Sequence, residues 1–342
     1  MNFRKLLTAF ALSAASAYVF AVTPGPGAQY ASDAYPGFDS DAKVLSPERK
    51  TPSWFWWRKA KFKTPGEQLA YARGLAAEES FSSAVRAYDA LVAEWPISSE
   101  AVAAQEELAD ILLYKSDDPI VAFEEYRYLL NFYSSDCDYA KVVLKMYESA
   151  KKMRQNGKRI MFFKFANTAD VRRAFETVVI QAPGATFAPE AMYAVVELRV
   201  EEEEYSEAIE VCKTVRNRYS RTPQAKAALY KEAELRMILL KAHEYNRDRG
   251  LNTVSFMSMA AAAAEDAEER ADFLKWRAEA AEVVEKEAYE AAVFYDSVTR
   301  KRRGAIKAYE GFLREYPASV RAQKVRERLA ELQSTSSVKE SK

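Results

Sequence analysis

The sequence predicts an all-α fold, a tetratricopeptide-type α-solenoid of about five to six helical hairpins. Three observations carry that expectation. Glycine numbers 10 in 342 residues, well under the ordinary ~7%, whereas a sheet protein needs many glycine turns to reverse its chain. Residues 66–333 are rich in Ala, Glu, Lys and Leu, which are strong helix formers. Within that stretch five segments share one internal spacing.

At the amino terminus, residues 1–21 place Arg4 and Lys5 ahead of an apolar run that closes on Ala15-Ser16-Ala17. This is the pattern of a cleaved secretory signal. An uncleaved anchor is the alternative, because the apolar run of residues 6–22 is near the lower length limit, roughly 17 residues, for spanning a bilayer. Residues 22–65 hold six of the twelve prolines (24, 26, 36, 47, 52 and 65) and read as an extended tether ending in an aromatic-basic segment. Residues 66–333 are the helical body, with an insertion near 151–168. The Ser/Lys-rich residues 334–342 read as a disordered tail.

The body is organised by repetition. The five segments begin at Ala84, Ala122, Val171, Ala208 and Ala305. Four residues on stand Tyr88, Tyr126, Phe175, Cys212 and Tyr309, and seven on stand Leu91, Leu129, Val178, Val215 and Phe312. Spacings of 4 and 7 mark one face of a helix. A terminator follows at +12 in each: Pro96, Ser134, Pro183, Ser220 and Pro317. The small anchor lets the preceding antiparallel helix approach, and the bulky +4 residue fills the gap between hairpins. Anchors 84 and 122 lie 38 apart and anchors 171 and 208 lie 37 apart, each enough for one ~34-residue unit. The 49 residues from 122 to 171 leave the insertion, and the 97 from 208 to 305 leave room for a degenerate unit near 252–282 plus long helices. Residues 99–113, 189–200 and 223–239 supply partner helices. Pro119, Pro189 and Pro223 sit where helices open. One hairpin cannot bury its apolar face alone, so stacking must, giving a concave surface suited to peptides or partner domains.

These residues resemble the BamD/YfiO family of outer-membrane assembly lipoproteins. The carriers are Tyr35-Pro36-Gly37, the run Trp54-Phe55-Trp56-Trp57-Arg58-Lys59, Phe81 with Ala84 and Tyr88, Trp95-Pro96, the aromatic insertion at 160–165, and the closing unit from Ala305 to Ser319. The resemblance implies a protein of the periplasm, associated with the outer membrane. It implies docking on the barrel-forming assembly protein and contact with unfolded barrel proteins. The chain departs from the family in having no acylated cysteine after its apolar run. That departure keeps open a periplasmic adaptor for another envelope process, such as coordinating wall synthesis.

Composition excludes several other classes. Fifty basic and fifty acidic residues give zero net charge, with no field to draw in nucleic acid. One histidine and two cysteines cannot build a zinc centre or a disulfide framework. Cys137 and Cys212, two units apart in a stack, read as free thiols, and His243 as a surface residue. No nucleophile elbow or phosphate loop is present, so no enzyme, cofactor or small-molecule substrate is expected.

Candidate partner-binding residues fall in three groups. Trp54, Phe55, Trp56, Trp57 and Arg58 form either an interface clamp or a cap that folds back on the first hairpin. Phe162, Phe163 and Phe165 face a membrane or partner, or plug a long interhelical loop. Arg300, Lys301, Arg302 and Arg303 meet an acidic partner, or form a solvated surface.

Overall fold

The structure, a computed structural model, describes residues 35, 36, 38, 48–52, 59–157, 167–242, 247–298 and 301–340. Among them are thirteen α-helices and no strand. The chain divides into two compact units, one ending at Glu202 and one beginning at Glu203.

The first unit contains α1 (Pro65–Ala77), α2 (Phe81–Glu94), α3 (Ser99–Tyr114), α4 (Pro119–Tyr133), α5 (Tyr139–Gly157), α6 (Thr168–Gln181) and α7 (Ala188–Glu201). Each packs on the next, and α1 also meets α3. Links this short between helices force antiparallel neighbours, so the seven form three stacked hairpins and a closing helix. The second unit contains α8 (Tyr205–Arg218), α9 (Pro223–Lys241), α10 (Arg247–Ala263), α11 (Ala267–Ser297), α12 (Arg302–Glu315) and α13 (Ala322–Glu340). Here too each helix packs on its successor, with α9 also touching α11. The total matches the five to six hairpins expected.

Local chemistry sets the helix starts. Pro65, Pro119, Pro189 and Pro223 lie in first turns, where a missing N–H costs nothing. The side chains of Ser98, Asp118, Asn167, Thr222 and Asp266 accept the backbone N–H three residues on, satisfying donors that the helix itself cannot.

The repeated spacing is the packing rule of the fold. All five anchors, all five +4 residues and all five +7 residues are buried. In four of the five helices the cap residue (Trp95, Ala182, Tyr219 or Tyr316) donates its N–H to the carbonyl of the +7 residue. The terminators thus follow a hydrogen bond anchored on the core itself. Five residues before an anchor the chain turns in the left-handed region: Glu79 has φ 58°, Asp117 50° and Glu203 60°. Glycine is the residue that adopts this conformation without strain, and none of the three positions has it.

Three boundaries differ from expectation. Residues 151–157 continue α5, so the insertion is narrower than 151–168. The backbone stays helical through Glu340, into the stretch read as a tail. The degenerate unit is resolved into α10 and the 31-residue α11. Gly250 in α10 explains their contact, since a Cβ there would lie 2.6 Å from Val284 Cγ2 of α11.

Candidate functional site

The site begins with what the repeat leaves over. On α2 and α4 the anchor, +4 and +7 residues point into the core. The helical period therefore turns Asp89 of α2 and Glu125 and Phe132 of α4 toward a different face. A non-helical stretch of the chain itself, residues 48–52, lies there. Lys50 Nζ sits 2.7 Å from Asp89 Oδ1 and 2.7 Å from Glu125 Oε2. Its backbone N–H donates to the Tyr128 hydroxyl at 3.2 Å. The ammonium stands 5.2 Å from the Tyr128 ring centre, and the Arg49 guanidinium 4.8 Å from that of Phe132. Each aromatic face attracts the cation through its quadrupole.

The socket is preorganised from behind. Gln105 of α3 donates through Nε2 to Glu125 Oε2 at 2.6 Å and to the Glu125 carbonyl at 3.0 Å, holding the carboxylate toward Lys50. Tyr133 of α4 donates to the Pro96 carbonyl at 2.8 Å, tying α4 to the α2–α3 turn. Burial alone would lower the Lys50 pKa, but Glu125 and Asp89 outweigh it and raise the pKa above the usual lysine value. The ammonium is therefore held charged.

Nearer the amino terminus, Tyr35 and Phe38 are buried, with ring centres 5.1 Å apart in a stacked pair. Composition made residues 22–65 a tether. Arg49 and Lys50 are instead held down, through partners 39 to 83 residues away that no local pattern announces.

The helices α1, α3, α5 and α7 carry a different pattern, an ion-pair ladder of alternating sign. Arg73 of α1 meets Glu107 of α3 at 2.5 Å. Lys145 of α5 meets Asp110 of α3 at 2.6 Å and Glu106 at 2.9 Å. Arg154 of α5 meets Glu197 of α7 at 2.7 Å. The +4 tyrosines join in: Tyr88 donates to Glu107 at 2.8 Å and Tyr126 to Asp110 at 2.6 Å. Burial alone would raise the Glu106 carboxyl, but hydrogen bonds and charge from Lys145 and Lys141 together outweigh it and hold it below its usual range.

The expected site residues divide as follows. Trp54, Phe55, Trp56, Trp57 and Arg58 lie outside the described residues, as do Phe162, Phe163, Phe165, Arg300 and His243. On both sides of the tryptophan run the chain is fastened. Beyond it the N–H groups of Lys61 and Phe62 donate to Gln68 Oε1, while Gln68 Nε2 donates to the Ala87 carbonyl. Lys301 caps α12, and Arg303 is exposed. Arg302 donates to the Leu332 carbonyl of α13. Both cysteines are free. Among the described residues no His/Cys/Asp/Glu cluster could hold a metal, and no helix is long and apolar enough to cross a membrane.

No family model matches the chain, and no curated protein matches it. Solved structures do. One is a tetratricopeptide repeat protein from Parabacteroides merdae, at 13% identity and TM-score 0.30, covering 79% of this chain and 98% of its own. Another is PilF of Pseudomonas aeruginosa, at 13% identity and TM-score 0.24, covering 77% of this chain and 97% of its own.

Proposed function

We propose that this chain is a non-enzymatic scaffold that grips extended polypeptide on its stacked hairpins, acting in the periplasm on outer-membrane barrel assembly. The observation that carries the reading is Lys50. A lysine outside the helices, pinned through side chain and backbone by Asp89, Glu125 and Tyr128, is the kind of contact by which helical repeats hold a peptide. The apolar run at residues 6–22 supports export. The BamD/YfiO-like motifs support a barrel-forming assembly protein, together with unfolded barrel chains, as partners. Fold alone does not license the assignment, so the partner is the point to test.

Co-purification of the full chain in mild detergent should recover the barrel-forming assembly protein, and depletion should lower outer-membrane barrel levels. The missing acylated cysteine favours a second reading, an adaptor for wall synthesis. Under that reading depletion disturbs cell shape and leaves barrel levels normal.

A further inference from the structure

We propose that the groove between α10 and α11 is a docking site for an acidic amphipathic helix of a partner protein. The proposal rests on the scaffold reading above and names the chemistry of one of its partners. It begins with the length of α11. Phe273 and Ala280 in the first half of that helix pack into one core with Met257 and Ala260 of α10 and Ala233 of α9. Ala292 in the second half packs into another core with Ala305, Tyr309 and Phe312 of α12. The last hairpin is thus shifted along α11, and the outer side of the α10–α11 pair stays uncovered. An open groove of 600 Å³ lies there, lined by Ser258, Ala261, Ala262, Arg270, Leu274 and Arg277. Leu274 is 44% exposed, and on α10 Met259 is 45% and Leu251 44% exposed.

Charge is sorted across α11. Glu269 faces α9, where Lys226 lies 3.3 Å away, and Glu279 is met by Lys241 of α9 at 3.5 Å. The basic edge turns to the groove instead. Arg270 and Arg277 have no carboxylate partner among the described residues, whereas Arg236, Arg321 and Arg328 of the same unit are all paired.

Arg270, Leu274 and Arg277 fall at i, i+4 and i+7, one stripe of the helix. The two guanidiniums are therefore separated by about 10 Å of axial rise with an aliphatic side chain between them. A partner helix with carboxylates at i and i+7 and leucines between them has the same rise and the complementary charge. The small Ala261 and Ala262 leave room for its leucines.

The test uses the full chain and two dansyl-labelled 14-residue helical peptides with Leu at positions 7 and 8. One carries Glu at positions 4 and 11, the other Lys there. The Glu peptide should bind at least tenfold tighter than the Lys peptide, and the exposed double variant R270E/R277E should reverse that order. Equal binding of both peptides, no binding of either, or retention of the Glu peptide by the variant overturns the proposal. Binding of laurate without either peptide would assign the groove to a small amphipathic anion. A wild-type dimer in sedimentation, lost in the variant, would assign it to a second copy, and both results overturn the proposal. Failure of the peptide test with the barrel-forming protein still recovered would remove the groove and leave the scaffold reading standing.

Discussion

Lys145 of α5 and Asp110 of α3 are ion-paired at 2.6 Å, and the same Asp110 oxygen accepts the hydroxyl of Tyr126 from α4. One carboxylate thus ties three helices of the first unit. With Arg73 on α1 and Glu197 on α7, charges of opposite sign meet at each step from α1 to α3 to α5 to α7. Shifting one helix by a hairpin would bring like charges together, which specifies the stacking order. Lys145→Ala leaves the half-buried Asp110 carboxylate with the Tyr126 hydroxyl but without its counter-charge, and should cost about 1–3 kcal/mol in urea unfolding. The swap Lys145→Asp with Asp110→Lys should recover part of that loss, and no recovery would exclude the ladder as a source of order.

The left-handed residues predict gains. Glu79 at φ 58° and Asp117 at φ 50° carry side chains where the backbone favours glycine. Glu79→Gly and Asp117→Gly should each stabilise the first unit by roughly 0.5–1 kcal/mol, seen as a higher melting temperature. Loss of stability in both would show that the side chains contribute more than the strain costs.

Gly250 predicts the opposite sign. An added methyl would sit 2.6 Å from Val284 Cγ2 and 3.5 Å from Leu240 Cδ1. Although alanine is the better helix former, Gly250→Ala should destabilise the second unit by about 1–3 kcal/mol, because the overpacked helices must part. Val284→Ala in the same chain should relieve the clash. An unchanged melting curve for Gly250→Ala would rule out the close approach.

Asp296 sets an acid limit on the second unit. Hydrogen bonding to Arg328, and then to Tyr309, holds its carboxyl below the usual aspartate range. The folded state therefore favours the ionised form. Its contribution is complete above the unfolded value of about 3.9, and is lost as pH falls through the lower folded value. Melting temperature should drop on acidification below about pH 4, and Asp296→Asn should flatten that part of the profile.

The two thiols should differ sharply in reactivity. Cys212 is fully buried at a +4 core position, and burial first, then Glu232, raises its pKa far above the usual thiol value. Cys137 is half-exposed and shifted upward less. Iodoacetamide at neutral pH should label Cys137 and spare Cys212 until unfolding, because only the thiolate reacts. Equal labelling of the native protein would contradict the burial.

What could be read in advance was what repeats. Ala84, Tyr88 and Leu91, and their four counterparts, declare helix, inward face and terminator within fourteen residues, because hydrophobic period and capping are local properties of a chain. The Lys50 socket could not be read that way. Asp89 and Glu125 are ordinary surface acids until folding brings α2 and α4 together, and Lys50 stands in a stretch whose prolines suggest only extension. The open groove beside Arg270 and Arg277 has the same origin. Pattern shows α11 as helix, but only packing decides that its acidic edge meets α9 while its basic edge is left uncovered. Secondary structure and core face came from spacing along the chain. The sites came from contacts across it, which depend on distances that spacing does not encode.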